Sequence, residues 1–132
     1  DFLDVPNLYL EGLKSLVPVL ERGQEKGAVS ETELLEAVMD LGKAFGRTKQ
    51  FIDSKACLER ALEGFERLFG PEHENSLTAR YFIALQTQSA EKVTELQALL
   101  ERADSSLGVH RLVSDIANNL AHIARKGGNN KG

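Results

Sequence analysis

The side chains best able to do acid–base, nucleophilic or metal chemistry in this chain are three histidines, one cysteine and a scatter of carboxylates. His73-Glu74 begins like a zinc-binding helix, but that motif needs a second His four residues on, and position 77 is Leu. His110 and His122 stand twelve residues apart in different surroundings, so they do not read as a metal pair. A reactive thiol needs exposure and a lowered pKa; Cys57 lies on an apolar stripe with Leu58 and Ala61 and reads as a small buried hydrophobe. "GKAFGRTK" at 42–49 resembles a phosphate loop through Gly42, Gly46 and Lys49. It lacks the Gly-Lys-Ser/Thr core and follows a helical pattern instead of a strand, so it reads as a helix end with cations at the negative pole. Glu59, Glu63, Glu66, Glu95 and Glu101 fall opposite the apolar stripes, as a solvated face does. The expectation is a protein without catalytic residues, metal or cofactor.

The elements that carry these residues are helical. Leu34, Leu35, Val38, Leu41 and Phe45 recur at three- and four-residue steps, as do Leu58, Ala61, Leu62, Phe65 and Phe69. Period-2 alternation is nowhere sustained. Breaks at Gly27–Ser30, Gly46–Lys49, Gly70-Pro71, Thr87–Ser89 and Ser106–Gly108 divide the chain. They predict six antiparallel helices over about 5–26, 30–46, 50–69, 73–87, 90–106 and 110–126, in one domain spanning 1–126. Ser30 with Glu33 forms a capping box, and Ser89 with Glu91 marks another start. Pro18 must kink the first helix or split it. Residues 127–132, Gly-Gly-Asn-Asn-Lys-Gly, have nothing to bury and are expected to be disordered.

In "LFGPEHENSL", Gly70 should close the third helix in a left-handed cap and Pro71 should forbid its continuation. Glu72, His73 and Glu74 should then sit at the positive start of the fourth helix. The net charge of −4 argues against nucleic acid or an anionic membrane surface, and no apolar run approaches the roughly 20 residues of a span. A single cysteine suits a reducing, cytoplasmic compartment. A chain opening at Asp1 is expected to be processed or part of something longer.

"FGPEHENSLTARYFIALQ" at 69–86 returns as "LGVHRLVSDIANNLAHIA" at 107–124 with one residue removed from the joint, since Gly70 to Ile83 is 13 steps and Gly108 to Leu120 is 12. Leu41-Gly42, Ile83-Ala84 and Leu120-Ala121 are equivalent, the first step being 42 residues and the second 37. Most of the difference is about one helical turn lost between Ala103 and Gly108, which keeps the helix faces in phase. Small residues at 42, 84 and 121 should let paired helices touch, with Leu41, Ile83 and Leu120 in the core beneath.

Val38-x2-Leu41-Gly42-x2-Phe45 followed by Ser54-x3-Leu58 and Ala61 resembles the tetratricopeptide repeat. The near-42 period, "ALEGFERLFGPEH" and "NNLAHIA" are similar to its kinesin-light-chain variety, over residues 30 to 126. The second repeat departs from the pattern at Thr87 and Leu96. The resemblance implies a TPR-like α-α superhelix, with residues 5–26 as the second helix of a preceding repeat.

The resemblance also implies a concave face, built by the first helix of each repeat, that binds a protein or peptide partner. Carried across the aligned positions, it names Met39, Asp40 and Lys43, with Glu36, then Tyr81 and Phe82, with Thr78 and Leu85. From the last repeat come Asn118, Asn119 and His122, with Asp115 and Arg125. Asn118 and Asn119 match the family's paired asparagines, which can clamp a peptide backbone. Met39-Asp40 and Tyr81-Phe82 stand in those places in the other repeats, so an amphipathic ligand suits this groove better than an acidic tail. Phe82 is either groove or core. An adaptor role leads; the alternatives are a homodimer stacked through the half-repeat ends, or a spacer or sensor arm of a larger protein.

Overall fold

The computed structural model describes residues 5–87, 90–105 and 110–129. It is all helical, with no strand among the described residues. The helices are α1 (Val5–Glu25), α2 (Glu31–Arg47), α3 (Phe51–Phe69), α4 (Glu74–Leu85), α5 (Glu91–Ser105) and α6 (His110–Asn129). Each packs on the next along the chain, and α4 also touches α6. Pro18 lies inside α1 without dividing it. Helix α6 runs three residues past the expected end at 126, since extending an existing helix gains a hydrogen bond for each residue fixed. The expected cap at Ser89, the break at Ser106–Gly108 and residues 130–132 of the tail lie outside the described residues.

Local chemistry sets the ends. Ser30 Oγ accepts from the Glu33 backbone N–H at 3.1 Å and caps α2. At its far end the Thr48 hydroxyl donates to the carbonyls of Ala44 and Phe45. Gly70 closes α3 at φ +91°, ψ 164°. That is an extended conformation at positive φ, not the left-handed helical one expected, and it too is open chiefly to glycine. His73 stands one position ahead of the first turn as the N-cap of α4. Its Nδ1 accepts from the Asn75 N–H at 3.1 Å while its ring stacks on Phe69.

The core falls into two clusters. Leu10, Val38, Leu58, Ala61 and Phe65 lead the one formed mainly by α1, α2 and α3. Leu77, Tyr81, Leu96 and Ile116 lead the one between α4, α5 and α6. Burying each such Leu or Phe contributes about 1.5–3 kcal/mol. The Phe82 ring packs against both clusters.

Helices α2 and α3 meet closely at Gly42. A Cβ there would lie 2.9 Å from Leu58 Cγ and 3.2 Å from Cys57 Cβ. The Ser54 hydroxyl, fully buried on α3, donates to the Gly42 carbonyl at 2.6 Å and accepts from the Gln86 side-chain amide. Ala84 is buried as expected, but Ala121 is exposed, because no helix lies over that side of α6 among the described residues. Leu41 is buried, whereas Ile83 and Leu120 are only half-buried at the margins of their clusters.

Gly42→Val is expected to lower the free energy of unfolding by about 1–3 kcal/mol in urea titrations, because Leu58 and Cys57 must move. Gly12→Ala, with nothing within 4 Å of its Cβ, should instead raise it by about 0.5–1 kcal/mol through helix propensity. The reverse order would mean that α2 and α3 do not meet at Gly42.

Candidate functional site

Helix α2 is covered on most of its circumference. Leu34, Leu35, Ala37, Val38, Met39, Leu41, Ala44 and Phe45 are all buried, leaving a narrow polar strip of Glu36, Asp40, Lys43 and Arg47. Met39, expected on a binding face, is only 8% exposed and belongs to the core. A stripe wide enough to face α1 and α3 together reaches one position further round the helix than a two-helix contact needs.

The strip meets α4 at Lys43. Its Nζ lies 3.6 Å from an Asp40 carboxylate oxygen and 4.9 Å from the centre of the Phe82 ring, within cation–π range. Phe82 is half-buried and meets Tyr81 edge-on at 5.2 Å. Two depressions open beside it. One, of about 260 Å³, is bordered by Lys43, Thr78, Phe82, Arg111 and Asp115. The other, of about 250 Å³, is bordered by Lys43, Arg47, Phe82, Leu85 and Gln86.

Tyr81 is only 4% exposed and serves the fold instead of the surface. Its hydroxyl donates to the Asp115 carbonyl at 3.4 Å and accepts from the Asn119 side-chain amide, which also donates to the Asp115 carbonyl at 3.2 Å. This joins α4 to α6 and leaves Asn119 little freedom to clamp a ligand backbone. Asn118 and His122 are exposed on α6 and border neither depression. Of the eight expected residues, the structure brings Asp40, Lys43 and Phe82 together at the surface, with Tyr81 and Asn119 as their support.

A larger groove lies between α3 and α5, where sequence reasoning placed none. Leu62, Ile83 and Leu99 contribute its apolar surface, over about 370 Å³. It continues past Lys55 and Glu95 to the exposed Phe51 and Ile52. Its two arginines are tied: Arg80 Nη2 donates to Glu66 at 2.6 Å and Arg102 Nη2 to Glu72 at 2.7 Å. Glu66 is therefore half-buried in an ion pair, not on a solvated face. Two apolar residues side by side at 51 and 52, outside the main stripe of α3, were the available signal.

Cys57 is half-buried, and burial raises its thiol pKa against the lowering effect of Arg60. That favours the unreactive thiol. No group of three or more His, Cys, Asp or Glu among the described residues is placed to hold a metal, and no helix among them is long and apolar enough to cross a membrane. No family model, curated protein or solved structure matches this chain.

Burial, and then the Asp115 charge, raise the pKa of Tyr81. The unfolded chain therefore loses this proton first as pH rises, so the contribution to stability is complete below the ordinary tyrosine range and is lost as pH climbs through the folded value. The urea midpoint should fall above about pH 10. Tyr81→Phe should lower stability by about 0.5–1.5 kcal/mol near neutrality and make that alkaline fall shallower, Cys57 supplying part of what remains. An unchanged alkaline slope would mean that Tyr81 ionises as freely folded as unfolded.

Proposed function

We propose that this chain is a non-enzymatic binding module, an adaptor of tetratricopeptide-like hairpins stacked as a solenoid, whose α2/α4/α6 face holds a peptide or helix of a partner protein. The supporting observation is Phe82. Its half-buried ring rests on both core clusters beneath, has a cation above, and stands between two depressions. A partner's apolar side chain can seat on such a fixed ring at little entropic cost. Lys43 and Arg111 offer charged hydrogen-bond donors, and Asp115 an acceptor, to polar groups on either side. With one cysteine and no cofactor invoked, a reducing intracellular compartment suits the module.

A second reading places the partner in the α3/α5 groove. The exposed Phe51 and Ile52 at its end favour it.

Selection from a displayed library of random peptides of about 12 residues separates the two. The enriched peptides should carry an apolar residue flanked by polar ones. Lys43→Ala with Phe82→Leu, which keeps an apolar side chain in the core, should weaken their binding about tenfold or more. Ile52→Glu should leave it unchanged. The opposite pattern moves the site to the α3/α5 groove, and no enrichment at all ends both readings.

A further inference from the structure

The α3/α5 groove differs from the matching joint between α1 and α3 by one ion pair. "LERG" at 20–23 aligns with "LERA" at 58–61 and again at 100–103, so Glu21 answers to Glu59, and Arg60 to Arg102. Arg60 Nη2 on α3 donates back to Glu21 on α1 at 2.9 Å. One repeat later, Arg102 on α5 would reach back to Glu59 on α3 in the same way. It turns elsewhere, giving Nε to Glu72 at 3.0 Å and Nη2 to the Pro71 carbonyl at 3.1 Å. Glu59 stands exposed at the groove with no ion pair among the described residues.

The rest of the lining gives the groove a sign. Glu95 borders it from α5 and meets the Thr87 hydroxyl at 3.5 Å, with no ion pair among the described residues. Arg80 and Arg102 are neutralised by Glu66 and Glu72, which sets Lys55 against the two carboxylates Glu59 and Glu95. The same groove holds the apolar surface of Leu62, Ile83 and Leu99. An apolar side chain seated on that surface excludes water from its surroundings. A cation next to it on the same segment is then held by the carboxylates more strongly than on an open surface.

We infer that the α3/α5 groove receives a basic segment of a partner protein. An apolar side chain of that segment sits on Leu62, Ile83 and Leu99, and an arginine or lysine beside it pairs with Glu59 and Glu95. The partner's cation does for Glu59 what Arg60 does for Glu21. This rests on the second reading above for the groove as a seat, adds the chemistry of its occupant, and does not depend on Phe82.

Peptide display on the full 132-residue chain carrying Lys43→Ala and Phe82→Leu, which disables the other face, tests this. From random peptides of about 12 residues, the enriched ones should carry Arg or Lys near an apolar residue, well above the frequency in the unselected library. On the same background, Glu59→Gln with Glu95→Gln should weaken a synthetic peptide of the leading sequence about tenfold. Ala98→Phe, which fills the groove without changing its charge, should weaken it as much. Glu59, Glu95 and Ala98 are exposed, so circular dichroism should show each variant folded. Enriched peptides without basic residues overturn the inference, as do peptides that Ala98→Phe weakens and the glutamine pair does not; the groove then stands as a seat for some other segment. No enrichment, or peptides that Ala98→Phe leaves unchanged, removes the groove as a seat and the inference with it.

Discussion

The contact of Gly42 with Leu58 and Cys57 fixes the geometry on which the other helices depend. A side chain at position 42 would occupy space already taken by Leu58 Cγ, so the absence of one lets the α3 side chains pack directly against the α2 backbone. Gly64 repeats the arrangement about two turns further along the same pair, where a Cβ would fall 2.4 Å from Leu35 Cδ1. The two glycines lie on opposite partners, each receiving a leucine from the other helix. Sliding one helix along the other would break both contacts at once. The pair therefore has one register, and the strip of α2 left facing water is fixed with it.

Attachment of α4 to this pair is polar at one point and aromatic at another. The Ser54 hydroxyl uses its proton on the Gly42 carbonyl and its lone pair on the Gln86 amide, so three helices share a buried oxygen with its donor and acceptor roles both filled. Gly46 makes room for this, since a Cβ there would lie 3.3 Å from that oxygen. Phe82 closes the same junction from the apolar side by touching both clusters. It is both groove and core: the ring packs against the two clusters yet is only half-buried, so one part packs and another part shows.

Helix order and boundaries were legible in the sequence because local chemistry sets them. Ser30, Thr48 and Gly70 act within a few residues of their own positions. Which residues face water was much less legible. Met39 and Tyr81 were expected to face a ligand and are buried, because exposure depends on how many helices surround a position, and that is decided at long range. The same cause works the other way at Ala121: the sequence aligns it with Gly42, yet it is exposed, because no helix among the described residues lies over it. The α3/α5 groove was illegible for a related reason. It is a gap between helices that are not sequence neighbours, and no periodicity within one helix encodes a gap.

These constraints decide what kind of surface the α2/α4/α6 face can be. Tyr81 and Asn119 are occupied in joining α4 to α6, and the apolar residues of α2 are occupied in its core contacts. What reaches the surface is one aromatic ring, with the half-buried Leu85 on one side and a few charged or polar side chains around it. Because the ring is held from below by both clusters and from above by Lys43, its position is set before any ligand arrives. A single fixed apolar anchor with a polar rim concentrates binding energy at one point and leaves selectivity to the rim. Here the rim is already partly neutralised, since Asp40 lies against Lys43. Net charge on a partner would therefore matter less than the fit of one apolar side chain against Phe82.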